Sequence, residues 1–156
     1  RSLTSAAELG RVEGRQLSAS AQVERVILRR TGGTAAADHI LKPDGVLVEN
    51  RVAIATFEAK YRTYSPSEGP QRNEIYQALA AARALASPLA VLVYPGAFET
   101  GLWRVRSAEG HPTTLAAVGL DMFGYRPGEE TARGRKLLEL VKSGLPSEQN
   151  EIMVLQ

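Results

Sequence analysis

Cysteine is absent from the 156 residues, which excludes a disulfide framework and any thiolate metal site and leaves a reducing compartment fully compatible. Histidine is nearly absent too. His39 and His111 stand far apart without a ligand-like spacing, so structural roles are expected of them rather than a zinc site or a catalytic base. No apolar run approaches the roughly 18 residues of a membrane span, and no signal peptide opens the chain, so a cytoplasmic, soluble protein is expected. A glycine-rich phosphate loop is missing as well: Gly32-Gly33 is followed by neither the lysine nor the helix that such a loop needs, which argues against a nucleotide-driven motor within this chain.

What is present describes an ordinary packed domain. Hydrophobic residues make up 44% and charged residues 23%, far from the composition of disordered chains. The length suits a single unit spanning residues 1–156, and the start at Arg1 rather than methionine suggests a domain cut from a longer chain. Net charge is only +2, yet the cations are mostly arginine, with only Lys42, Lys60, Lys136 and Lys142 as lysines. That balance favours an anionic partner mildly, although arginine- and alanine-rich coding explains it equally well.

Periodicity predicts an amphipathic helix from Leu3 to about Leu17, capped by Ser2 or Thr4, with Leu3, Ala6, Ala7 and Val12 on its apolar side. A strand is expected over Gln22–Arg30, stopped by Thr31-Gly32-Gly33-Thr34. His39–Glu49 and Val52–Arg62 read as a β-hairpin in the middle of a sheet, joined at Asn50-Arg51. Turn-forming residues then fill 64–70, and an alanine-rich helix is expected over Gln71–Ala86, closed by Ser87-Pro88. Leu89–Tyr94 is apolar throughout, as for a strand buried on both faces beside a crossover helix. Further strands are expected at Leu102–Arg106 and Thr113–Leu120, and a terminal helix at Glu129–Lys142. The pattern is an α/β (α+β) fold with a central mixed β-sheet flanked by helices, in the order αβββαββα.

The hairpin carries the chemistry. Pro43-Asp44 lies on its first strand and Glu58-Ala59-Lys60 on its second, and residues two apart on a strand share a face, so Glu58 and Lys60 project together. If Asp44 lies opposite Glu58, the same register sets Glu49 opposite Ala53 across a loop of three residues, Asn50–Val52. Charged residues in strands usually mark a solvated face. Here they follow the β-run Val52–Phe57 in a central segment, where isolated charge is costly unless it is paired or binds metal. Two carboxylates would hold Mg²⁺ through oxygen, with the Ala59 carbonyl as a further ligand. Lys60 would orient water and stabilise the growing negative charge of a phosphodiester under attack.

Lys42-Pro43-Asp44-Gly45-Val46-Leu47 and Phe57-Glu58-Ala59-Lys60-Tyr61-Arg62 resemble the core motif of PD-(D/E)xK nucleases. With Asn73-Glu74-Ile75-Tyr76-Gln77 on a helix and Val91-Leu92-Val93-Tyr94-Pro95-Gly96 beyond it, residues 40–106 are similar to the McrC family of restriction subunits. The resemblance implies a restriction-endonuclease-like core and Mg²⁺-dependent (or Mn²⁺-dependent) DNA cleavage within a restriction or antiviral defence system. It also implies a separate AAA+ GTPase or ATPase subunit as partner. Asp44 and Glu58 would be metal ligands and Lys60 catalytic, while Gln77 matches the helix glutamine that follows the motif. Ala81 stands where an aromatic residue often follows that glutamine, so the extended helix motif is incomplete. The family's acidic residue on the first helix would be Glu8 or Glu13, and the sequence leaves that choice open.

Other candidates carry less. Arg62, Arg72 and Arg83 would track a phosphate backbone if they face the cleft, although helix-surface arginines usually do nothing so specific, and Trp103 and Phe98 are expected to pack rather than stack on bases. Two other functions fit the same residues: a stand-alone nuclease of this fold acting on other DNA or RNA, and a catalytically silent nucleic-acid-binding or assembly module. The intact trio Asp44, Glu58 and Lys60 argues against the silent module.

Overall fold

A computed structural model describes residues 1–28, 31, 39–106, 112–124 and 126–146. Helix α1 (Ser2–Val12) leads into β1 (Leu17–Ala21), then β2 (Arg25–Leu28), β3 (His39–Leu41), β4 (Gly45–Glu49) and β5 (Val52–Ala59). Helix α2 (Arg72–Ala84) follows, then β6 (Leu89–Tyr94), β7 (Gly101–Val105), β8 (Thr113–Gly119) and helix α3 (Glu130–Gly144). Six strands form one mixed sheet in the order β1-β4-β5-β6-β8-β7, and β2 and β3 pair separately. Strands β5, β6 and β8 run parallel to one another, with antiparallel partners outside them, β4 beside β5 and β7 beside β8.

The two faces of this sheet bury different cores. Helices α1 and α3 pack together over Leu47, Phe57, Val91 and Val118, supplying Ala6, Ala7, Leu137, Leu138 and Val141. Helix α2 lays Ala78 and Ala82 on the opposite face, over Ala90, Leu92, Tyr94, Leu115 and Ala117. Small residues on α2 allow a close approach to the strands, and the apolar run of β6 is explained by burial from both sides. Gly134 serves the same purpose between α1 and α3, where an added Cβ would meet the Ala6 nitrogen at 2.8 Å.

Several sequence expectations are corrected. Helix α1 ends at Val12 because Gly14 takes φ +84, and Leu17, expected at its end, opens a strand instead. Neither Ser2 nor Thr4 caps it; Arg1 is the cap residue, without a side-chain bond. The strand expected over Gln22–Arg30 is β2 alone, shortened by Gln22 at φ 55, with residues 29 and 30 outside the described residues. The first hairpin strand is broken between β3 and β4 at Lys42-Pro43-Asp44, since proline donates no ladder hydrogen bond. The second strand stops at Ala59, short of Arg62. Two strands more than expected precede α2, whereas the three strands expected at Leu89–Tyr94, Leu102–Arg106 and Thr113–Leu120 all form between α2 and α3, one more than the order αβββαββα counts.

Candidate active site

The β4–β5 hairpin sets the register of the two carboxylates. Gly45 pairs with Phe57, Val46 with Thr56 and Leu47 with Ala55, so the same alignment brings Asp44 opposite Glu58, as the sequence analysis anticipates. The connection differs. Glu49 pairs with Val52 rather than Ala53, Asn50 and Arg51 alone form the turn, and a bulge between Leu47 and Val48 absorbs the extra residue. Both turn residues have positive φ, 49 and 68, the geometry of a tight hairpin turn that matches strand twist. One strand-end hydrogen bond secures the result: the Ala59 N–H donates to Asp44 Oδ2 at 2.8 Å.

Glu58 pairs with Leu92 across the parallel β5–β6 ladder, so it lies on the face that α2 covers. It is 5% exposed, and among the described residues no donor hydrogen-bonds its carboxylate. Burial raises its pKa, the neighbouring Asp44 charge raises it further, and Lys60 opposes both. A buried carboxylate thus lies beside a solvent-exposed one with one ammonium nearby, an excess of negative charge that a divalent cation would relieve. Asp44 itself is exposed and keeps Oδ1 clear of the bond to Ala59. Among the described residues no three His, Cys, Asp or Glu side chains gather, so a third protein ligand at this position would be a neutral oxygen, as the expected Ala59 carbonyl would supply.

Lys60 leaves the sheet just beyond β5, its N–H bonded to the Val93 carbonyl at 2.8 Å. Its ammonium donates to Gln77 Oε1 on α2, also at 2.8 Å. Gln77 thus holds the lysine head over the helix-covered face, next to Glu58. The expected site residues Asp44, Glu58, Ala59, Lys60 and Gln77 all meet at the carboxyl end of β5, where open sheets of this kind place ligands.

A second tie, which the sequence analysis missed, runs beside the first. Arg62 donates from Nε and Nη2 to the two oxygens of Glu74 at 2.8 and 2.7 Å, and its guanidinium lies 5.4 Å from the centre of the Tyr94 ring. Glu74 also accepts from the Gln71 N–H and the Tyr94 hydroxyl. Burial alone would push the Glu74 carboxyl up, but the bonds from Arg62, Gln71 and Tyr94 outweigh it and bring it to about 2. Arg62 is therefore committed to this half-buried pair rather than offered to a phosphate backbone. The signal was in the sequence: Gln71 and Glu74 have the spacing of a capping box, which the structure forms. A lone hydroxyl in the apolar run of β6, on Tyr94, also called for a partner.

The remaining candidates fall elsewhere. Glu13 ends α1 in an ion pair with Lys142 at 2.7 Å, and Glu8 is exposed on that helix, whose reach toward the site is through Ser2 and Leu3. His39 lies exposed on β3, and His111 is outside the described residues. Phe98 stacks on Tyr64 at 4.2 Å, as packing predicts, whereas Trp103 is 40% exposed on the edge strand β7. Arg72 is exposed at the start of α2.

Comparison with known proteins yields one class of likeness, that of fold. No family model matches the chain, and no curated protein matches it in sequence. Among solved structures, a chain in the refined half-complex from a tetradecameric assembly of Thermococcus gammatolerans McrB AAA+ hexamers with bound McrC has the same fold. The TM-score is 0.57 at 15% identity, over 80% of this chain and 28% of that one.

Proposed function

We propose that this chain is a nuclease module with a restriction-endonuclease-like core, hydrolysing DNA phosphodiesters with Mg²⁺ or Mn²⁺. The observation that carries the reading is the meeting of Asp44, the buried Glu58 and Lys60 at one strand end. Asp44 Oδ1, the Glu58 carboxylate and the Ala59 carbonyl would hold the cation, which would polarise the phosphate and acidify water. Hydrolysis adds water to phosphorus and breaks one P–O ester bond, so negative charge grows on the phosphoryl oxygens and the leaving oxygen must take up a proton. Lys60 would stabilise that charge, and the hydrogen bond that its ammonium donates to Gln77 Oε1 limits where it can go. Arg62 and Glu74 fix the chain just after Lys60 to α2, which keeps strand end and helix in step.

The fold shared with a chain of an McrB–McrC complex supports a place in a restriction system and an AAA+ partner. The net charge of +2 fits a module that leaves much of its DNA affinity to another subunit, since phosphate contacts supply most non-specific binding. Plasmid cleavage in Mg²⁺ or Mn²⁺ by the wild type and by Asp44→Asn, with and without a co-encoded ATPase or GTPase, tests the reading. The expected outcome is metal-dependent cutting, reduced at least about a hundred-fold in the variant. Equal cutting by the two proteins would remove Asp44 from the mechanism, and no cutting under any condition would favour a silent assembly module.

A further inference from the structure

Next to the carboxylates a pocket of about 350 Å³ opens at the ends of β5 and β6. Asp44, Ala59 and Lys60 form one wall. The rest is largely apolar: Leu3, Phe57, Val93, Leu120, Met122 and Leu137 line it, on the side of the sheet that α1 and α3 cover. Tyr61, next in the chain after Lys60, also lines it and is 95% exposed; Met122 is 49% exposed and is followed by Phe123 at 82%. Large apolar side chains left in solvent beside a polar centre mark a contact surface rather than a core.

We propose that this pocket receives one unpaired nucleobase of the strand being cut, adjacent to the scissile phosphate. The inference rests on the nuclease reading, and the chemistry of the shared wall selects the occupant. A strand whose phosphate sits at Asp44 and Glu58 has only the end of β5 to cross before a flanking base meets the apolar wall. That base has a flat π-face suited to Tyr61 and a body that Met122 and Leu120 cover. A base inside a duplex is stacked on both sides and cannot enter, so the substrate is single-stranded there or has the base turned out. Strands with weakened pairing near the cut are therefore preferred over perfect duplex.

The test is equilibrium binding of a short fluorescein-labelled single-stranded oligodeoxynucleotide in Ca²⁺, with an abasic site moved through successive positions. The wild type should lose about ten-fold in affinity at one position, the range expected for a lost base–aromatic stack. In a Tyr61→Ala/Met122→Ala double variant the same base removal should have no effect, the intact strand already binding as weakly as the abasic one. Both side chains are solvent-exposed, and circular dichroism checks that the variant folds. Equal affinity at every abasic position, no binding of the strand, or an unchanged position dependence in the double variant overturns the pocket. Mn²⁺-dependent plasmid cutting reports the nuclease reading separately. Cutting without base-dependent binding overturns the pocket alone; base-dependent binding with no cutting, with or without a co-encoded ATPase or GTPase, overturns the nuclease reading and with it the pocket's role beside a scissile phosphate.

Discussion

Glu58 is a liability in the metal-free protein. Its carboxylate is buried, has Asp44 beside it and lacks a hydrogen-bond donor among the described residues, so its pKa is raised. A carboxyl with a raised pKa contributes most to folding below its ordinary value of 4.5, and that contribution is lost as pH rises through the raised one. At neutral pH the charge therefore costs stability. Glu58→Gln is expected to raise the melting temperature by a few degrees in EDTA at neutral pH, and to lose that advantage near pH 4. In excess Mn²⁺ the wild type should gain and the order should reverse, because a ligand bound only by the folded state stabilises it. Scanning calorimetry that finds the wild type at least as stable in EDTA would contradict this account of Glu58.

Glu74 behaves in the opposite sense. Its carboxyl is held at about 2 against an ordinary 4.5, a difference on the order of 3 kcal/mol of stability. That contribution is present above about pH 4.5 and is lost as pH falls toward 2. Glu74→Gln should destabilise the protein by roughly 2–4 kcal/mol at neutral pH, since it leaves Arg62 and the Tyr94 hydroxyl without their anion. The gap between variant and wild type should close on acidification. Urea midpoints measured from pH 7 down to pH 3 check both the size and the direction.

At the scale of elements, the hairpin turn decides whether Asp44 and Glu58 meet. Arg51 holds φ 68 without glycine's freedom, a conformation that L side chains adopt at a cost. Arg51→Gly gives the turn the Asn-Gly pair that its geometry favours, and should stabilise the fold by about 0.5–1 kcal/mol without changing the register. A fall in the urea midpoint would show that the arginine side chain contributes more than the strain it carries. The site's register was legible in the sequence because alternation and the Asn50-Arg51 link constrain it strongly. The bulge at Leu47/Val48 was not, since the three-residue loop fits the same alternation and leaves Asp44 opposite Glu58.

Strand β6 was legible to the residue, its apolar run being bounded by Pro88 and Pro95. Strand β1 was not: Leu17-Ser18-Ala19-Ser20-Ala21 consists mostly of small residues with little β-preference, and only its pairing with β4 makes it a strand. Pairing partners distant in sequence leave no local mark. The Arg62–Glu74 tie was legible only in part: the Gln71–Glu74 spacing marks the helix start, but Arg62 becomes its partner only once β5 and α2 are placed.

For the whole molecule, the mixed sheet sorts chemistry by face. Helix α2 covers the face of Glu58, Lys60 and Gln77, while α1 and α3 cover the face from which the apolar pocket opens; both meet at the carboxyl end of β5. The chain spans 28% of the length of the McrB–McrC complex chain that it matches. No described helix is long and apolar enough to cross a membrane.

Whether Asp44 and Glu58 jointly hold a divalent cation is tested most directly by titration calorimetry with Mn²⁺, which needs no substrate. Saturable binding by the wild type at neutral pH is expected, with its loss in both Asp44→Asn and Glu58→Gln and circular dichroism unchanged. Wild-type protein that takes up no Mn²⁺, or variants that bind it as tightly as the wild type, would contradict it.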